Sequence, residues 1–330
     1  MMCQACNDLL IEINAYIEKA DNKLVKKLKD AGFLIPKKTI KVASELEDEM
    51  TEILKSETKF LAKQLNKAVD IKSFFADIWN DVKDIDDVDV KLSQAFIQTF
   101  EKVMPAMMEA YITKSDEELK FVKVTDKTSY QVAENSKEVS EKMKLSSHKN
   151  LEKILNKGIE EGESIQDVTK EILNGGIRDE RYKARTVALT EMLRVHSYVA
   201  NEAMMQCAVV EQKEWIHTGS TKNQPRENHV AMNGVTVNKN EPFELIGADG
   251  NTYLPMFPRD FCLPASECAN CHCLHRAIVS ESALGIAPEE RRRMQSEYIE
   301  NADREWEKEL DMINYQKAVD YRNGKGDVNE

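Results

Sequence analysis

The sequence predicts a mainly α-helical chain, with an elongated helical N-terminal region and a small α+β module towards its C-terminal end. Three observations carry that expectation. Through most of the first 208 positions, apolar residues recur at three- to four-residue steps, the spacing of one helix face. The chain is 32% charged with only 12 glycines, a composition that favours long helices over sheets. From about residue 209 the texture changes to short β-branched runs, turn residues and prolines, ending in a dense run of cysteine and histidine.

Residues 7–31 read as a first helix, with Leu10, Ile13, Ile17, Leu24 and Leu28 on one stripe and Gly32 and Pro36 after it. A second helix is expected over about 38–69, carrying Val42, Leu46, Leu54, Leu61 and Leu65. A short third holds Ile71, Phe75, Ile78 and Val82. The acids from Asp84 to Asp89 lack the glycine and terminal glutamate of a calcium loop, so they read as helix caps in a linker. Val88, Leu92, Phe96, Phe100 and Val103 form a fourth stripe, which Pro105 should kink or end. Met104, Met107 and Met108 extend that face as core filling.

Two helices follow over 128–174, broken near Gly158 and Gly162, with Ser164 as N-cap of the second and Asn174-Gly175-Gly176 ending it. A long helix over about 178–208 comes next. Val209 to His217 and Val235 to Val237 then read as strands, and Pro255, Pro258 and Pro264 break helix across the approach to the cysteines. A highly charged tail helix runs from Pro288 to about Arg322, where Arg291-Arg292-Arg293 reads as a solvated face. The residues after it should be disordered. Four segments result: 1–125, 126–208, 209–283 and 284–330.

A formal net charge of −12 argues against a protein that coats DNA, which would present a basic face. No apolar run approaches the length that crosses a bilayer, and the first residues lack the basic and apolar regions of a signal peptide. The expectation is a chain made and kept in a cytoplasm. Seven cysteines cannot all pair within one chain, so free thiols or metal ligands fit better than a disulfide framework.

Four of those cysteines and two of the six histidines fall between Cys262 and His275. Thiolates at Cys268, Cys271 and Cys273 could face one structural zinc ion, with His229 or Cys262 completing a tetrahedral set. The plainer reading is a set of small buried thiols locking the loop, with His272 and His275 exposed. Arg226 and His229, three apart, could act as anion clamp and general base. A structural role is favoured, with Arg226 on a carboxylate such as Glu191 or Glu227 and His229 on a backbone carbonyl. No phosphate-binding glycine loop, G-x-S-x-G elbow or H-E-x-x-H helix is present.

One order of motifs is more specific than any of its parts. Trp215, Arg226-x-x-His229, Gly234, Glu241-Pro-Phe243, Pro255-x-x-Pro258 and Asn270-Cys271-x-Cys273 follow one another, after a helix holding Thr190-Glu191. In this it resembles the phage head-morphogenesis or minor capsid family of the Mu F type, over roughly residues 128–280. His272 stands where that family usually has Arg, and Gly219 near a usual acidic position. The resemblance implies that 126–208 is the helical part of the head-morphogenesis domain, and that Glu191, Trp215, Arg226, Gly234, Phe243 and Asn270 are motif positions. It also implies a virion component, assembled in the host cytoplasm, whose partners are the portal protein and other head proteins, with DNA in passage as a further candidate. The competing class is a metal-assisted, nuclease-like hydrolase using Arg226, His229 and the cysteine cluster.

Overall fold

The computed structural model describes residues 18–176, 180–219 and 225–322. Cys3, Cys6, the first part of the helix expected over 7–31 and the expected disordered tail lie outside the described residues. Helices dominate. Helix α1 covers residues 18–30, and α2 (Pro36–Leu65) follows. α3 (Ile71–Ser73) passes through a π-helical turn, Phe74–Ile78, into α4 (Trp79–Ile85). Then come α5 (Val88–Ser115), α6 (Asp126–Glu161), α7 (Ile165–Glu171) and α8 (Glu180–Gln206).

α8 is the axis of the molecule. Every residue from Thr190 to Met204 is buried, as expected of a helix enclosed on all sides rather than amphipathic. Its apolar residues, among them Ala184, Ala188, Met192, Val195 and Val199, join a core with Met50 and Leu54 of α2 and Phe96, Phe100 and Met107 of α5. Met104, Met107 and Met108 are all buried there. Two buried carboxylates on these helices meet arginines. Glu47 receives Arg185 at 2.9 Å, and Arg194 meets Glu191 at 3.1 Å.

One expected break is absent, and another falls at the second of its two glycines. Pro105 lies within α5, which continues to Ser115. Pro105 and Glu101 are both exposed, so water can satisfy the carbonyl that the missing N–H leaves unpaired. Gly158 lies inside α6, and it is Gly162, at φ +69°, that ends the helix in the left-handed conformation. Ser164 caps α7 by accepting from the Asp167 N–H.

The C-terminal half carries the small sheets. β1 (Val210–Ile216) is the centre of an antiparallel sheet, between β2 (Thr236–Asn238) and β5 (Leu274–Val279). β3 (Leu245–Ile246) and β4 (Thr252–Tyr253) form a separate hairpin. α9 (Glu227–Ala231) lies between β1 and β2, and α10 (Ala265–Cys268) precedes the cysteine run, with Pro264 as its N-cap. After α11 (Glu281–Leu284), α12 (Pro288–Arg322) returns along α6 and α8. It is held by Arg291 on Asp116 at 2.8 Å, both buried, by Lys127 on Glu309 at 2.8 Å, and by Trp306 against Tyr130. Arg291 is thus a buried anchor, not part of a solvated basic face. No described helix is long and apolar enough to cross a membrane.

Candidate metal centre

The chemistry-bearing residues of the 209–283 segment meet where β1 ends and β5 begins. The pairing of Ile216 with Leu274 brings residue 217 beside Cys273 across the two strands. Cys271 reaches the same point through Asn270, whose φ of +55° turns the chain sharply, and through its N–H bond to the Cys268 carbonyl at 3.1 Å. α9 supplies His229, and Gly234 (φ +85°) turns the chain back so that its N–H donates to the Trp215 carbonyl at 2.8 Å.

His229, Cys271 and Cys273 are buried and offer ligand atoms that all lie within 4.8 Å of one another. His229 Nδ1 stands 3.5 Å from Cys271 Sγ and 3.6 Å from Cys273 Sγ. The other ring nitrogen, Nε2, is 2.8 Å from Glu267 Oε2. An ionised Glu267 accepts from Nε2–H, and the neutral ring then turns its Nδ1 lone pair towards the two sulfurs. A carboxylate behind a histidine in this way orients the ring and raises its basicity as a ligand. Burial alone would push the Glu267 carboxyl up. Donors from the Ala248 N–H, the Asn228 amide and His229 outweigh it and hold the group below its ordinary value. The thiols are polarised too. Cys271, accepting from Cys273 and facing the Arg259 guanidinium, lies well below the usual thiol range, and Cys273, the donor of that pair, is pushed well above it.

Arg259 fixes the loop. It is 1% exposed and adopts φ +68°. One terminal nitrogen donates to the carbonyls of Cys271 and Cys273, both at 2.8 Å. The other donates to the Leu193 carbonyl at 3.0 Å and Ser197 Oγ at 2.6 Å on α8. Arg226 holds the approach to the loop, donating to the Ala269 carbonyl at 2.8 Å rather than to a carboxylate. Trp215 is fully buried and meets His229 and Phe243 edge-on, at 6.1 and 5.3 Å between centroids.

Two of the cysteines expected around a metal stand apart from this group. Cys268 is buried, but its Sγ faces the Leu263 carbonyl at 3.7 Å, because α10 turns its side chain back into the module. Burial raises its thiol to about 11. Cys262 is exposed. Glu191 lies on α8, where it accepts from Asn135 at 2.9 Å and pairs with Arg194. His275 is 2% exposed, stacked on Phe257, not a surface residue. Glu267, Arg259 and His217 carry no motif that singles them out. The one available signal was position, since Glu267 falls inside the cysteine run and His217 closes the strand that holds Trp215.

Donor chemistry suits a divalent ion of borderline softness, with two thiols and an imidazole whose outer nitrogen is already committed. These three residues could hold a metal. A cavity of about 460 Å³ borders the cluster, lined by His217, Arg226, His229, Asn270 and the two cysteines among others.

Residues 149–276, which include α8, the central strand and the whole cluster, match the family described as Phage Mu protein F like protein. The chain is also 31% identical over 309 residues to the uncharacterized protein YqbB of Bacillus subtilis (strain 168), covering 89% of this chain and 98% of that one. The chain belongs to the phage Mu F-like family, and it is a phage head-morphogenesis protein. No solved structure is significantly similar to it.

Proposed function

We propose that the chain is a minor capsid protein of a tailed phage or prophage that joins the head at the portal vertex during assembly in the host cytoplasm, and remains in the virion. Membership of the Mu F-like family carries this reading, because the match spans the central helix and the Cys/His module together. In it, the cluster of His229, Cys271 and Cys273 is a structural zinc site. The N–S separations of 3.5 and 3.6 Å agree with the figure of about 3.5 Å expected for ligands sharing a tetrahedral zinc at Zn–N ~2.0 and Zn–S ~2.3 Å. Zinc would join β5, α9 and the loop between them, in a module whose own apolar core is small. The cavity beside the cluster favours the hydrolase reading, but the geometry of His229 weighs against it. Both of its ring nitrogens are engaged, one by Glu267 and one by the thiols, so none is left to take a proton from water.

Binding to the portal should not need DNA, given the net charge of −12, and should survive moderate salt. A pull-down with the cognate portal protein, with and without nuclease, tests this. Retention after nuclease supports direct contact. Loss of the complex on DNA removal would show that nucleic acid was the tether.

A further inference from the structure

We propose that His217 is the fourth ligand of the metal centre, making it a closed site of two cysteines and two histidines. The inference rests on the zinc reading of His229, Cys271 and Cys273 and adds a residue to it. His217 follows the last residue of β1, and the pairing of Ile216 with Leu274 sets it across from Cys273. Side chains opposed in this way in an antiparallel pair are close neighbours. Its Nδ1 stands 3.4 Å from Cys273 Sγ, close to the 3.5 and 3.6 Å that His229 Nδ1 keeps from the two sulfurs. It lies outside the 4.8 Å group that His229, Cys271 and Cys273 form, so ligation requires its ring to swing in towards them.

The backbone holds it there. The His217 N–H donates to the Asn233 side chain at 2.8 Å, in the turn that follows the helix of His229, so both histidines hang from one piece of structure. Thr218 Oγ1 donates to the His272 carbonyl at 3.2 Å, tying the next residue to the loop between the two cysteines. The second ring nitrogen of His217, Nε2, is buried and has no hydrogen-bond partner among the described residues. His217 lines the cavity that borders the cluster, together with the three ligands themselves.

The fourth position decides what kind of site this is. Three protein ligands and a water are the pattern of a catalytic zinc, whereas four protein ligands make a structural one. Ligation by His217 closes the face that borders the cavity. It accounts for an imidazole placed beside a thiol at the mouth of the cluster.

Cobalt substitution of the full-length protein tests the proposal. The parent should bind about one Co²⁺ with a thiolate charge-transfer band and intense tetrahedral bands, and added azide should leave them unmoved. His217→Ala should open the site, so that azide shifts the spectrum. It should also weaken zinc retention against a chromophoric chelator beyond the ~10–100-fold loss typical of removing an outer partner of a ligand. His217→Cys should restore retention and strengthen the charge-transfer band, because a third thiolate joins the ion; this holds even if the alanine variant folds poorly. An azide-sensitive parent overturns the proposal, as does a His217→Ala variant that retains metal like the parent, or a cysteine variant with an unchanged charge-transfer band. In each of those cases a metal-binding parent leaves the three-ligand reading standing. A parent that takes up neither Co²⁺ nor Zn²⁺ overturns both.

Discussion

Arg259 converts a loop into a fixed mount, because a single guanidinium reaches four acceptors on two separate elements. Lysine keeps the charge but not the planar fork. Arg259→Lys should therefore leave buried carbonyls unsatisfied and cost about 2–4 kcal/mol, read as a lower midpoint in urea unfolding. His196 offers a pH test at a distance from the cluster. It stacks on Phe33, accepts or donates at Tyr111, and lies 3.2 Å from the Leu34 carbonyl. Burial, aided by the charge of Arg259, lowers its pKa from 6.5 to about 3. Below about 6.5 the unfolded chain takes up a proton that the folded chain refuses until about 3. The contribution of His196 is thus fully present above that window and is lost as pH falls through it, at up to ~1.4 kcal/mol per pH unit. His196→Gln, which keeps a donor for Leu34, should flatten the decline in unfolding free energy between pH 6 and 4. An unchanged slope would assign the acid sensitivity elsewhere.

At the scale of elements, the contact of α6 with α7 turns on one absent methyl. A Cβ on Gly158 would meet Val168 Cγ2 at 2.7 Å and Ile71 Cδ1 at 3.3 Å, and Val168 is fully buried, with no room to give. Gly158→Ala gains up to ~1 kcal/mol of helix propensity. Overpacking should cost about 1–3 kcal/mol, so the variant should melt lower than the parent. The helices themselves were legible, because a stripe such as Val88, Leu92, Phe96 and Phe100 is a local pattern that needs no partner to be seen. Their ends were less so. Pro105 reads as a stop in any helix, and only its exposure explains why α5 runs past it. At the cluster, residue type pointed to Cys271, Cys273 and His229, but it could not separate them from Cys268. The spacing allows Cys268 to ligate, and what turns its sulfur towards Leu263 is the helical turn of α10. Arg259 was not legible at all, and Glu267 and His217 only by their positions. Their roles come from strand register and from packing on α8, which no run of neighbouring residues encodes.

The whole molecule is built around a helix that is buried for fifteen consecutive residues, Thr190 to Met204, with both the helical core and the Cys/His module seated on it. Such an arrangement couples the two halves. Loosening the loop at Arg259 should also loosen α8 and, through it, the packing of α2 and α5. The tail helix behaves differently. It is docked as far as Trp306 and Glu309, and beyond Leu310 it continues as a helix with Met312 and Tyr315 exposed. Residues 311–322 rise about 18 Å at ~1.5 Å each. That makes the end of α12 a ruler with a built-in phase. Two residues inserted after Leu310 would swing Met312 and Tyr315 through about 200°, to the opposite side. Seven would return them to within about 20° of their native bearing while lengthening the arm by ~10 Å. Reach and bearing of this apolar edge can therefore be varied independently, by counting residues.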